Sequence, residues 1–115
     1  MKGLAGKKCV PCEGGVPRLG KTQALKYLKF LKNWKLSAGA KSIASEYRMK
    51  DFIAALHFMQ KIASLAESED HHPDLHLTGY RKLRIELSTH AIGGLSENDF
   101  ILAAKIDKLP RKLKK

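Results

Sequence analysis

The sequence predicts an α+β domain of two layers: a four-stranded antiparallel sheet with three helices packed on one face. Three observations carry that prediction. Apolar residues recur at helical spacing in three stretches, and between them they alternate with polar residues at period two. The resulting order is helix, hairpin, helix, hairpin, helix, and strands joined by short turns pair antiparallel. The chain has 115 residues, 43% of them hydrophobic, which suits one domain with one core.

Residues 1–20 are rich in Gly, Pro and Lys without periodicity and are expected to form an irregular arm. The folded domain is expected over residues 21–109, followed by a basic tail over 110–115. Thr22 can cap a first helix, in which Leu25, Leu28 and Leu31 recur at a spacing of three with Lys26, Lys29 and Lys32 on the wet side. Trp34-Lys35-Leu36, the turn Ala38-Gly39 and the alternating stretch Ser42 to Tyr47 read as a hairpin.

The longest regular stretch follows. Phe52, Leu56, Met59, Ala63 and Ala66 keep helical spacing, flanked by Ile53, Ile62 and Leu65, so this helix should cover the sheet. It must stop before Pro73, because the residue ahead of a proline disfavours helical geometry. Leu75 and Leu77 alternate with His76 and Thr78 as a short strand. Thr78-Gly79 signals a turn, and Lys82 to His90 alternates as the second strand of a hairpin. Gly93-Gly94 marks a loop. Ser96 with Asp99 three residues on resembles a capping box, with Asp for the usual Glu. Phe100, Ala103, Ala104 and Ile106 define a last helix, which ends before Pro110. A bare sheet face in so small a domain is often covered by another subunit, so an oligomer is expected.

Composition excludes several classes. No apolar run exceeds five residues, as at Phe52–Leu56, whereas a spanning helix needs about 20. The first residues lack the apolar region of a secretory signal. Cys9 and Cys12 are then expected to remain thiols in a reducing, cytoplasmic compartment. The 22 Lys and Arg outnumber the 11 Asp and Glu, giving net charge +11. The excess lies at the ends: residues 1–35 carry net +8, residues 36–104 net −2, and residues 105–115 net +5. A nucleic-acid groove would run across the folded body and interleave aromatics. This distribution reads instead as a solvated helix face and a soluble tail, so nucleic acid is not an expected partner.

The chemistry concentrates in Glu67-Ser-Glu-Asp-His71-His72-Pro73, with His90 further on. A helix C-terminus is partly negative and favours cations, and neighbouring carboxylates do the same. That setting suits imidazoles that both give and take protons. Glu67 and His71 are four apart, so a persisting last turn would let the carboxylate reach the ring. Pro73 pins the backbone just after the pair. Adjacent histidines point apart and seldom share a metal ion. The single Cys9-x-x-Cys12 lacks a second pair, so no metal site is expected.

The spacing Glu67-x3-His71-His72-Pro73-x6-Tyr80-x9-His90-x8-Asp99 closely resembles the signature of the pterin-4a-carbinolamine dehydratases, also called 4a-hydroxytetrahydrobiopterin dehydratases. Leu87-Ser88-Thr89-His90 and Gly94-Leu95-Ser96-Glu97-Asn98-Asp99 support it, as do Trp34 and the helix with Phe52 and Phe58. The resemblance spans residues 22–108. His72-Pro73 and Tyr80 are one residue further apart than in the animal-type enzymes, as in a variant group with an N-terminal Cys-x-x-Cys-x-Gly-Gly arm.

The resemblance implies a four-stranded antiparallel sheet with three helices on one side, assembled as a homodimer or homotetramer. It implies a lyase that dehydrates 4a-hydroxytetrahydrobiopterin to the quinonoid dihydropterin, in tetrahydrobiopterin recycling, without metal or organic cofactor. Two proton transfers are needed, and His71 and His90 are the pair it points to. His72 would complete the cluster, and Glu67 and Asp99 would orient and charge-tune the rings. Trp34 would supply a flat wall for the pterin, with Pro73 and Thr89 at the substrate. The competing reading is a non-catalytic protein-binding module, such as a transcription-factor dimerisation cofactor, which would use helix and sheet surfaces instead of the histidines.

Overall fold

The computed structural model describes Gly6 and residues 18–114. The Cys9/Cys12 arm therefore lies outside the described residues. Helix α1 spans Lys21–Leu28, strand β1 Lys35–Leu36, β2 Ile43–Arg48, helix α2 Phe52–Glu69, β3 Asp74–Thr78, β4 Lys82–Leu87, and helix α3 Glu97–Asp107. The strands form one antiparallel sheet in the order β1-β2-β4-β3. The predicted α+β class is what the chain adopts.

Alternation assigns the two sheet faces. Ile43, Ser45 and Tyr47 of β2 and Leu83, Ile85 and Leu87 of β4 are buried under the helices, with Leu75 and Leu77 of β3 beside them. The opposite face carries Glu46, Arg48, His76, Lys82, Arg84 and Glu86, so it is polar. Helix α3 crosses the centre of the core. Phe100, Ile101, Leu102, Ala103 and Ile106 are all buried, which is why its sequence shows apolar residues on more than one face.

The first helix starts earlier than Thr22. Gly20 precedes it, and the Gly20 amide donates to the Gln23 side chain at 3.3 Å. Its inward face is Ala24, Tyr27 and Leu28, with Leu31 packed inward just past its end, so of the predicted Leu25-Leu28-Leu31 row only Leu25 faces out. Leu25 is 45% exposed, and Tyr27 stacks on Phe100 with ring centroids 5.1 Å apart. A large ring in the last turn sets the roll of α1 more strongly than one leucine does.

Helix α2 begins at Asp51, whose side chain accepts from the Ala54 amide at 2.8 Å. The expected stripe on Phe52 and Leu56 is not the buried one. Ala55, Phe58, Ile62 and Ala66 face the core, while Phe52, Ile53 and Leu56 stand outside. Ala55 and Ala66 let the helix lie close to the sheet, and Phe58 and Ile62 fill the space between them.

The described segments flanking the helices and strands are docked. The Leu19 amide donates to the Leu95 carbonyl at 2.8 Å, and Leu19 is buried, so the expected arm already packs at its last residues. The expected basic tail also joins the sheet: Met49 and Leu113 bridge antiparallel, on the same side of β2 as β1. Arg111 lies over the Tyr47 ring at 4.9 Å and donates to the Ile106, Asp107 and Leu109 carbonyls that end α3. Among the described residues, no helix is long and apolar enough to cross a membrane.

Candidate active site

Three segments meet at one carboxylate, that of Asp99. The first is the end of α2. Asp70 takes a left-handed conformation (φ 52°, ψ 39°), which a short polar side chain tolerates, and its amide turns back to the Ala66 and Glu67 carbonyls. The chain reverses there. His71 leaves the helical path and turns inward, with its amide bonded to Ala66 at 3.2 Å. Its Nε2 lies 2.7 Å from Asp99 Oδ1, and both side chains are buried.

The same reversal corrects the expected partner of Glu67. Glu67 pairs with His72, Oε2 to Nε2 at 2.5 Å, and not with His71. The four-residue spacing predicted contact only if the helix continued, and it stops at Glu69. Both members of the Glu67–His72 pair are exposed. Pro73 is half-buried and leads directly into β3.

The second segment follows β4. The strand ends at Leu87, three residues before the predicted end at His90. Thr89 pairs instead with Gly94, and a tight helical turn over His90–Ile92 closes the loop. The reason lies in the register: Leu87 faces Ile43, the first residue of β2, so β4 has no further partner on that side. Gly93 (φ 63°) supplies the left-handed residue that brings the chain back. His90 therefore stands exposed in the turn, and not at a strand end. The Arg18 side chain lies against Gly94 and braces this loop.

The third segment is the start of α3. Ser96 precedes the helix, and its amide donates to Asp99 Oδ2 at 3.0 Å, the box that the sequence predicted. Thr89 Oγ1 also donates to Asp99 Oδ2 at 2.8 Å and lies 2.8 Å from Ser96 Oγ. Because the Thr89 proton goes to the carboxylate, the Ser96 hydroxyl must be the donor between the two. One carboxylate oxygen thus holds the His71 ring, and the other is fixed by a hydroxyl and an amide. Asp99 itself is 0% exposed, so these donors compensate its burial.

The expected site is thus assembled in part. His71, Asp99 and Thr89 form one hydrogen-bonded unit, His72 adjoins it with Glu67, and His90 follows Thr89 directly. Thr89 is buried behind Asp99 and does not present its hydroxyl to a ligand. Trp34 lies elsewhere. Its indole is buried in the core and donates to Asp107 Oδ1 at 2.8 Å, at the far end of α3. Asp107 is eight residues from Asp99, about 12 Å along the helix. Tyr80 sits exposed on the β3–β4 turn. Ser96 is a site residue that the histidine spacing alone did not single out. Its cap position before Asp99 was the available signal. Among the described residues, no three His, Cys, Asp or Glu side chains converge as a metal cluster.

Comparison with known proteins bears on this arrangement. A relative from Halorhodospira halophila, provisionally named a pterin-4-alpha-carbinolamine dehydratase, is 45% identical over 92% of this chain and 96% of its own. Pterin-4-alpha-carbinolamine dehydratase 2, mitochondrial, of Arabidopsis thaliana is 47% identical over 92% of this chain and 58% of its longer one. The crystal structure of a protein described as a transcriptional coactivator/pterin dehydratase, from Brucella melitensis, superposes with a TM-score of 0.73 at 32% identity, over 78% of this chain and 95% of that one. The family profile described as Pterin 4 alpha carbinolamine dehydratase matches residues 17–109, which hold the whole sheet, all three helices and the Asp99 unit; the chain belongs to that family.

Proposed function

We infer that the protein dehydrates a 4a-hydroxytetrahydropterin to the quinonoid dihydropterin and water. The observation that carries this reading is the buried His71–Asp99 pair, which ties the His71–His72 segment to the Thr89–His90 segment. The chemistry needs one proton delivered and one removed. An imidazolium gives its proton to the 4a-hydroxyl, the C4a–O bond breaks, and water leaves. A neutral imidazole takes the N5 proton, and the N–H electron pair becomes the C4a=N5 double bond. The proton count closes without a cofactor.

In this reading His71 and His90 are the catalytic pair. Asp99 orients the His71 ring and offsets the positive charge carried during transfer, as a buried carboxylate does for imidazole in other acid–base sites. His72, steered by Glu67, binds the hydroxyl or a polar pterin edge, and Pro73 borders the ring. Thr89 and Ser96 position Asp99. Turnover of a 4a-hydroxytetrahydropterin by wild type, His71→Ala and His90→Ala tests the reading. Each substitution is expected to slow turnover by about 10²–10⁴-fold. Unchanged turnover in both would overturn it.

The exposed Phe52, Ile53 and Leu56 support a homo-oligomer built on α2. The same α2 face supports the second reading, a protein-binding module, and the description of the Brucella protein as a transcriptional coactivator favours it. Partner binding that survives His71→Ala but not Leu56→Glu, in a protein without dehydratase activity, would select it. The Arabidopsis relative is named mitochondrial, so the proposed activity suits an organelle as well as the cytoplasm.

A further inference from the structure

The charge that the sequence assigns to a free tail is returned by the fold to the sheet. Lys50 N donates to Lys112 O and Lys114 N to Arg48 O, both at 2.9 Å, on either side of the Met49–Leu113 bridge. Lys114 therefore lies across from Arg48, and Lys112 across from Lys50. On its other side Arg48 faces Lys82 of β4. Tyr47, Met49 and Leu83 point into the core, so by alternation these neighbours point outward together. Lys82, Arg48, Lys114, Lys50 and Lys112 thus occupy one end of the open sheet face, on adjacent strands.

The next row of the same face is built differently. Arg84 lies between Glu46, at 3.6 Å, and Glu86, at 3.1 Å, and is neutralised there. Among the described residues, none of the five cations meets a carboxylate. Like charges directly opposite each other across a strand pair destabilise a sheet. This end of the sheet holds three such pairings: Arg48 with Lys82, Arg48 with Lys114, and Lys50 with Lys112. The fold gains nothing from them, and a polyanion laid on the face would relieve them.

We propose that this end of the open sheet is a docking surface for nucleic acid, engaged through its phosphates and without sequence preference. Two features favour phosphates. The cations form a grid, with strands about 4.8 Å apart and same-face residues about 6.7 Å apart along each strand, which can meet several closely spaced charges at once. Counterion release then adds a gain that isolated lysine–carboxylate pairs on a protein surface lack. No apolar side chain accompanies the cations on this face, which argues against insertion into a lipid surface. Tyr80, exposed on the β3–β4 turn beside Lys82, stands off the strands and is covered by Arg81, which favours backbone contact over base stacking. The surface lies at the opposite end of β3 from His72 and Pro73, so the two sites are separate.

The test titrates the full chain into a labelled mixed-sequence duplex of about 20 bp by fluorescence anisotropy, between about 50 and 200 mM salt. With five phosphate contacts, log K is expected to fall against log salt with a slope of about −4.5. Lys82→Gln/Lys114→Gln should reduce that slope by about 2 and raise the thermal midpoint, since it removes repulsion. The matched charge loss on α1, Lys26→Gln/Lys29→Gln, should leave the slope unchanged. Equal losses from both pairs would assign binding to net charge alone and overturn the proposal. So would no binding at the lowest salt, or equally tight binding to phosphatidylserine vesicles or polyglutamate.

Discussion

Nε2 of His71 lies 2.7 Å from Oδ1 of Asp99, and the two buried side chains are 28 residues apart in sequence. The bond joins the end of α2 to the first turn of α3, and through Thr89 it also reaches the loop that carries His90. A single carboxylate therefore ties the segment that carries His71 to the one that carries His90. Asp99→Asn keeps the shape and removes the charge. It should lower kcat by about 10²–10⁴-fold, as far as His71→Ala does, in steady-state assays of dehydration.

Thr89 separates two roles. As a group that positions Asp99, it should affect kcat when replaced by Val and leave KM in place. The same change removes one donor from a buried carboxylate oxygen and should cost about 1–3 kcal/mol in chemical denaturation. A raised KM with kcat intact would instead make Thr89 a substrate ligand.

Glu67 and His72 should behave as a surface pair. Their side chains are 77% and 55% exposed, and such pairs contribute about 0–1 kcal/mol. Glu67→Gln should leave the thermal midpoint almost unchanged while altering turnover. In a double-mutant cycle on kcat, Glu67→Gln should couple to His72→Ala and be additive with His71→Ala. Coupling to His71 would restore the pairing that the spacing suggested.

The outer face of α2 predicts self-association. Phe52 is 47% exposed, Ile53 57% and Leu56 40%, on adjacent turns of one helix. Ile53→Glu/Leu56→Glu should lower the mass measured by light scattering and preserve the circular dichroism of the fold. An unchanged mass would exclude α2 as the interface.

Tyr47 gives a pH signature. Burial pushes its phenol above the ordinary value; Asp107 adds to the rise, and Arg111 opposes it. The folded state therefore holds a proton that the unfolded chain releases near pH 10. Its contribution is complete below that pH and is lost as pH rises through the folded value. Urea unfolding between about pH 9 and 11 should show stability falling less steeply in Tyr47→Phe than in wild type.

Much of this was legible in the sequence. Period-two alternation located β2, β3 and most of β4, and Ser96 stands where a helix start needs a capping residue. The histidine spacing selected His71, His72, His90 and Asp99. What misled was local extrapolation. Glu67 and His71 are neighbours only on a continuing helix, and Asp70 ends it. Thr89 and His90 extend the alternation of β4, but β2 offers no residue to pair with them. Trp34 looks like a wall for a flat ring, yet its buried indole donates a hydrogen bond to Asp107, 73 residues away at the end of α3.

The sequence by itself determined the class of the fold, the family and which residues are candidates for the acid–base roles, because periodicity and motif spacing are properties of short stretches of chain. Only the tertiary structure decided which carboxylate lies beside which imidazole, which face of α2 is left bare, and that Lys112 and Lys114 line up beside the end of β2 instead of on a free tail. Those outcomes depend on contacts between residues far apart in sequence. The packing of α3 through the core and the pairing of Leu113 with Met49 set them, and no local pattern encodes either.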